Sequence, residues 1–236
     1  TDANGPITDL AKIKAEEVSH YELGVKTNPF NNTILNFSVF NTDIKNYQTL
    51  VQSEDVTLNR GYLANAEKVR VRGAELDGRI TVTKNLSFNT ALSYTDGQYV
   101  SFKNAPLPLE ETGLKVDGKQ VYSKDISGAQ LPGISKWAGT LGGDLSKDAR
   151  FFGNKGKLFF AVDSYSRSSF SSNATPSKYL VVKGYSIFNR RIGFRASEGL
   201  TVFVWGRNLF DKNYFEQLLP AGGNAGQYAG VLGDQR

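Results

Sequence analysis

The groups able to do chemistry in this chain are carboxylates, cations, phenols and hydroxyls, because its 236 residues include one histidine, His20, and no cysteine. A disulfide framework and a thiolate metal site are therefore excluded, and one imidazole does not make a nitrogen-rich metal centre. His20 alone is a possible iron ligand, but it reads first as a surface residue at a strand start. Nucleophilic hydrolysis needs a serine with a base beside it. Ser168, Ser169 and Ser171 lie far along the chain from His20, so no triad assembles and no catalytic, cofactor or metal residue is assigned. Two other sets remain. Tyr47, Arg60, Tyr62, Tyr99, Lys103, Tyr122 and Lys124 combine aromatic faces and cations on or beside long irregular stretches; such groups hold anionic ligands by stacking and charge, or are simply mobile surface. Glu75, Asp77, Arg79, Asp163 and Arg167 recur at every second position of strand-like runs. They line one face, either as a solvated barrel interior or as contacts for something held within it.

The elements that must position these groups are strands. Leu86, Phe88, Thr90, Leu92 and Tyr94 alternate with Ser87, Asn89, Ala91 and Ser93, the period-2 pattern of a sheet with one apolar face. The same pattern marks runs around 21–27, 35–39, 74–82, 137–145 and 158–167, and less cleanly 179–196 and 200–214, which makes eight strands. In the seventh, Arg190 shares parity with Phe188, Ile192 and Phe194, so either a bulge shifts the register or the face is misassigned. Connections alternate: short at 28–32, 84–85, 146–155 and 197–199, long at 47–66, 101–130, 168–177 and from 215 onward. Alternating short turns and long loops, with 15 Phe and 11 Tyr, many near strand ends, are the pattern of an all-β, antiparallel transmembrane β-barrel segment. Apolar runs are far too short for a spanning helix, whereas a closed barrel satisfies its backbone in lipid with half-apolar strands. The alternative is a soluble β-sandwich, whose strands also alternate. A net charge of +5 without a dense basic run gives no reason to infer a nucleic-acid partner. The 101–130 loop, with Pro106, Pro108, Glu110 and Glu111, is the expected lid, since loops of that length are functional or disordered.

The run Val204-Trp205-Gly206-Arg207-Asn208-Leu209-Phe210-Asp211-Lys212-Asn213-Tyr214 resembles the C-terminal signature of TonB-dependent outer-membrane transporters, in which a strand ends in Asn-Leu-Phe-Asp followed by Tyr. Val71-Arg72-Gly73-Ala74-Glu75-Leu76-Asp77, Leu131-Pro132-Gly133-Ile134-Ser135-Lys136 and Tyr21-Glu22-Leu23-Gly24-Val25-Lys26 resemble other strands of that family. The resemblance extends from about residue 15 onward and rests most on Asn208, Leu209, Phe210, Asp211 and Tyr214. It implies the C-terminal portion of a barrel domain, about eight strands of a 22-stranded barrel, without the plug domain or the last strand. It further implies that 1–15 and 101–130 are extracellular loops, that the location is the Gram-negative outer membrane, and that lipid, TonB (through the plug) and a small-molecule cargo are the partners. The implied function is TonB-energised import, with a ferric siderophore as the expected cargo and carbohydrate, cobalamin or peptide as alternatives. No cofactor or enzymatic activity is implied.

Overall fold

The structure is a computed structural model that describes residues 13–52, 61–221 and 226–234. Eight antiparallel strands form one meander in which each pairs with its neighbours in sequence: β1 (Glu17–Thr27), β2 (Thr33–Gln52), β3 (Gly61–Thr83), β4 (Leu86–Ser101), β5 (Trp137–Phe151), β6 (Asn154–Arg167), β7 (Tyr185–Ala196) and β8 (Thr201–Gly206). A separate hairpin follows, β9 (Phe215–Pro220) with β10 (Tyr228–Leu232). Every short connection lies along one edge of the sheet, here called the lower edge. Among the described residues the sheet does not close on itself.

Several expected boundaries move. The 146–155 connection is strand on both sides of a turn at Phe152-Gly153, where φ values of 45° and 81° give the left-handed pair that matches the twist of a two-residue hairpin. The 47–66 loop shrinks because β2 and β3 stay paired from Tyr47↔Ala66 to Gln52↔Gly61. The seventh strand begins at Tyr185, residues 181–182 instead pairing with 170–171. The eighth ends at Gly206, so Asn208–Asp211 form a turn and are not strand. At Arg190 no bulge occurs: Val162↔Arg190↔Gly206 lie in continuous ladders, so Arg190 shares the apolar face, between Phe188 above and Ile192 below.

On the lower part of the sheet the outward face carries apolar runs at 74–82, 86–94 and 137–145, each nine residues long, the length at which a tilted strand crosses a bilayer's hydrocarbon. These side chains are open to the surroundings; Leu141 is 60% exposed. A soluble sandwich would bury this face under a second sheet, and none covers it among the described residues. Aromatic pairs border the band: Tyr94 with Trp137 (centroids 4.9 Å) and Phe188 with Phe210 (5.2 Å) above, Phe151 with Phe152 (4.5 Å) and Phe194 (5.6 Å) below. Such girdles sit at the two interfaces of a membrane.

Above the upper girdle the two faces exchange character. Going up β3, outward Val82, Ile80, Leu76 and Ala74 give way to Arg72, Arg70 and Lys68, while inward Arg79, Asp77 and Glu75 give way to Val71 and Val69. β2 changes at Phe40 and β4 at Thr95, and Phe40↔Gly73↔Thr95 are partners on one register line. Gly73 is required there because a Cβ would run into the Tyr94 carbonyl and the Phe40 ring. Above the line, inward apolar groups are covered by residues 102–136 folding back over the sheet. Val51, Ala66, Val69, Tyr99, Phe102, Ala105, Ile126, Leu131 and Ala174 form a buried cluster, so the hydrophobic core lies above the apolar band.

Candidate functional site

Two surfaces meet at the upper end: the polar inward face of the sheet and a cap built from the long connections. On the inward face, Glu75, Asp77, Arg79 and Asp163 are exposed, as alternation requires. Asp77 accepts from Asn36 Nδ2 (2.8 Å) and Asp163 from Asn189 Nδ2 (2.7 Å). His20 is on this face too, sharing a hydrogen bond with Thr42 Oγ1 (2.7 Å) beside Glu22. Arg167 is placed differently from the other charged residues. Its Nε donates to Ser135 Oγ (2.8 Å), its Nη2 to Gly133 O (2.9 Å), and its guanidinium lies 3.8 Å from the Phe170 ring centre. It therefore pins the end of the 102–136 connection to β6. Two of the serines considered earlier are occupied by backbone: Ser168 Oγ accepts from Trp137 N (3.1 Å) and Ser171 Oγ donates to Asn173 O (3.0 Å).

Residues of the aromatic and cationic set separate in the cap. Tyr99 is 0% exposed, its ring against Phe102 (5.2 Å) and Tyr47 (6.5 Å), so it supports the core and offers no surface. Burial pushes its phenol up to about 12. Tyr47 is half-buried on β2. Lys124 is committed to Glu111 (2.7 Å). Tyr122 and Lys103 are exposed. Arg60 and the side chain of Tyr62 lie outside the described residues, as does most of 1–15; residues 14–16 pack along the β2–β3 hairpin through Asn65, Asn46 and Gln48.

The expected lid is internally structured and tied to its neighbours by one carboxylate. Glu110 sits in a single 3-10 turn, Leu109–Glu111. Its Oε1 accepts from Ser177 Oγ (2.7 Å) and Lys178 N (3.1 Å), and its Oε2 from Tyr228 OH (2.9 Å). Three long connections thus converge on Glu110. Burial raises this carboxyl, but hydrogen bonds from Ser177, its own backbone, Tyr228 and Lys178 outweigh that and leave it below its ordinary value. Tyr228 is pushed up to about 12, by burial first and then by Glu110. A carboxyl depressed on folding contributes stability above its unfolded pKa and loses it as pH falls through the folded one; a raised phenol contributes below its unfolded pKa and loses it as pH rises through the folded one. The tie is therefore fully made from the weakly acidic range up to about pH 10. The protection factors of the amides of residues 177–180, which divide out the base catalysis of exchange itself, are expected to stay flat across that window and to fall in acid. Glu110→Ala is expected to remove the plateau at a cost of ~1–3 kcal/mol of local stability.

The motif residues Asn208 to Asp211 form a structural clasp. Asn208 is buried, and with Asp211 it adopts positive φ (44° and 50°). Its Nδ2 donates to Lys212 O (3.0 Å) and Asp234 O (3.1 Å), its Oδ1 accepts from Lys212 N (2.8 Å), and its N donates to Asn189 Oδ1 (3.1 Å). The Asn208 side chain joins the turn to the segment after β10, its backbone N–H ties the turn to Asn189 on β7, and Leu209 N closes on Phe188 O (2.8 Å). Tyr214 packs on Tyr185, the ring centroids 4.2 Å apart and the planes tilted by 31°. Sequence reasoning passed over a further group, the outward charges Asp43, Lys68, Arg70, Arg72, Asp96 and Lys136. The signal that reveals them is the reversal of parity along β2, β3 and β4.

Comparison with known proteins gives consistent results. The family described as TonB dependent receptor-like, beta-barrel, matches residues 2–209. The ferric yersiniabactin uptake receptor FyuA from Yersinia pestis superposes with a TM-score of 0.65 at 16% identity, over 92% of this chain and 28% of that one. The siderophore receptor PiuA from Acinetobacter baumannii gives 0.63 at 17%, over 93% and 27%. The copper transporter OprC gives 0.61 at 16%, over 90% and 28%. The chain spans less than a third of the length of each of these structures.

Proposed function

Because the chain belongs to the TonB-dependent receptor β-barrel family, whose members are integral to the outer membrane, we propose that it forms part of the wall and cap of an active importer for a scarce, bulky nutrient, a ferric siderophore first of all. The observation that carries this reading is the two-tier sheet: a lipid-facing band with a wet inner face, surmounted by ordered connections on one side only. A wall of this kind contributes enclosure and selectivity. Energy comes from TonB acting through a plug domain, a partner outside these residues. On this reading the 102–136 connection and the first residues of the chain face the cell exterior, with Tyr122 and Lys103 meeting the cargo by stacking and charge. Glu75, Asp77, Arg79 and Asp163 face the plug or the path, and Arg167 holds the rim in shape. The siderophore receptors among the similar structures support a ferric chelate; the cargo of the copper transporter shows how little this wall alone fixes. Carbohydrate, cobalamin and peptide are the alternatives.

Uptake of radio-iron as a ferric siderophore is expected to fall to background when the protein is deleted, and equally when TonB is absent. Uptake that persists without TonB would count against the reading. Restored growth on carbohydrate, cobalamin or peptide, dependent on this protein, would redirect the cargo and leave the transport mechanism standing.

A further inference from the structure

Immediately above the Tyr94–Trp137 pair, on the outward face, lies a compact ionic belt. Asp43 is paired with Lys68 Nζ (3.3 Å) and Arg70 Nε (2.9 Å); Asp96 with Arg72 Nη2 (3.2 Å) and Lys136 Nζ (3.8 Å). The Glu17–Lys45 pair (3.6 Å) flanks it and adds no net charge. Each carboxylate thus serves two cations, and the belt carries an excess of positive charge. The groups are also layered. Arg72 and Lys136 side chains are 56% and 55% exposed while Asp96 beneath them is 15%, so the carboxylate fixes the cations and the cations face outward. Arg70 and Arg72 stand two residues apart on β3, roughly 7 Å, so the two triads adjoin on one strip of surface.

From this placement we infer that the belt is a docking surface for an outer-leaflet lipid bearing phosphate groups. The stratum directly outside a lipid-facing band is the headgroup layer, where Lys and Arg stems lie along apolar surface and their charged ends meet anionic groups. Arg fits because its planar fork grips phosphate in a way a point charge does not. Neutral triads would have no use for an anion; triads with one cation left over do. The inference rests on the transporter reading only for which leaflet the upper edge meets.

The natural protein, purified in mild detergent, is titrated with a bisphosphorylated lipid A, with its dephosphorylated form and with inorganic phosphate, and bound lipid is read by native mass spectrometry. The phosphorylated lipid is expected to bind roughly tenfold more tightly or better. Arg72→Gln with Lys136→Gln is expected to erase that preference, and Arg79→Gln, a loss of charge on the inner face, to leave it intact. Should the double variant fail to fold, Lys136→Gln alone is expected to weaken the preference several-fold. Equal binding of both lipids, an unchanged preference in these variants, or displacement of the lipid by equimolar inorganic phosphate would overturn the inference. Because the chain lacks cysteine, Tyr122→Cys labelled by an impermeant maleimide on intact cells tests the leaflet separately. Labelling without lipid preference sinks the docking surface alone; labelling only after lysis sinks the sidedness, and the docking surface with it.

Discussion

Leu141→Arg is expected to cost about 2–4 kcal/mol of folding stability in a bilayer, the range for a charge near the midplane of a barrel's lipid face. Thr140→Arg, one residue away, is expected to cost little. Leu141 stands in the middle of the 137–145 band, and Thr140, by alternation, on the wet inner face beside Ala91. Neighbours in sequence thus answer to different solvents. Refolding into vesicles, followed by heat-dependent electrophoretic mobility, measures both variants. Equal losses for the two would mean that neither face of β5 meets lipid, and the band would have to be covered by protein. Equal tolerance would point to an aqueous setting for the whole sheet.

A second large effect is expected in the cap. Phe102 is buried against Tyr99, and its N–H donates to Ser127 Oγ (3.1 Å) while its carbonyl accepts from Ile126 N (3.0 Å). Phe102→Ala removes a ring from the centre of that cluster and is expected to cost about 3–5 kcal/mol. Since this core lies above the membrane band, the loss falls on the 102–136 connection and leaves the lower ladder intact. Trypsin cleavage at Lys115, Lys119 and Lys124 should rise sharply while barrel mobility in electrophoresis stays the same. A lid that swings freely would show rapid cleavage before the substitution and no change after it.

Much of the lower tier was legible in the sequence, because there each face meets one solvent and alternation reports it directly. The 146–155 stretch was not. Near the lower rim both faces are wet, so Lys147, Asp148, Arg150, Lys155 and Lys157 erase the pattern although the ladder runs on to Phe151↔Asn154. The upper parts of β2 and β3 were obscured for the opposite reason. There alternation persists with its sign reversed, and a reversed sign cancels when a strand is judged by one face. The Glu110 tie has no local signature at all, since Glu110 and Tyr228 are 118 residues apart. Asn208 was singled out by its motif, but its work is joining backbone segments, which residue type alone does not reveal. Tyr99 has the chemistry of a contact residue and the address of a core one.

The line Phe40↔Gly73↔Thr95 gives the ladder a built-in error check. Slipping a strand by one residue turns every side chain to the other face. In a uniform amphipathic strand that is a single kind of mistake, tolerable in a medium that dissolves both faces. Here a slip of β3 would send Glu75 and Asp77 into lipid and, in the same motion, drive Arg70 and Arg72 into the space that the cap fills with apolar groups. The two halves of one strand would veto the same wrong pairing from opposite sides of the membrane surface.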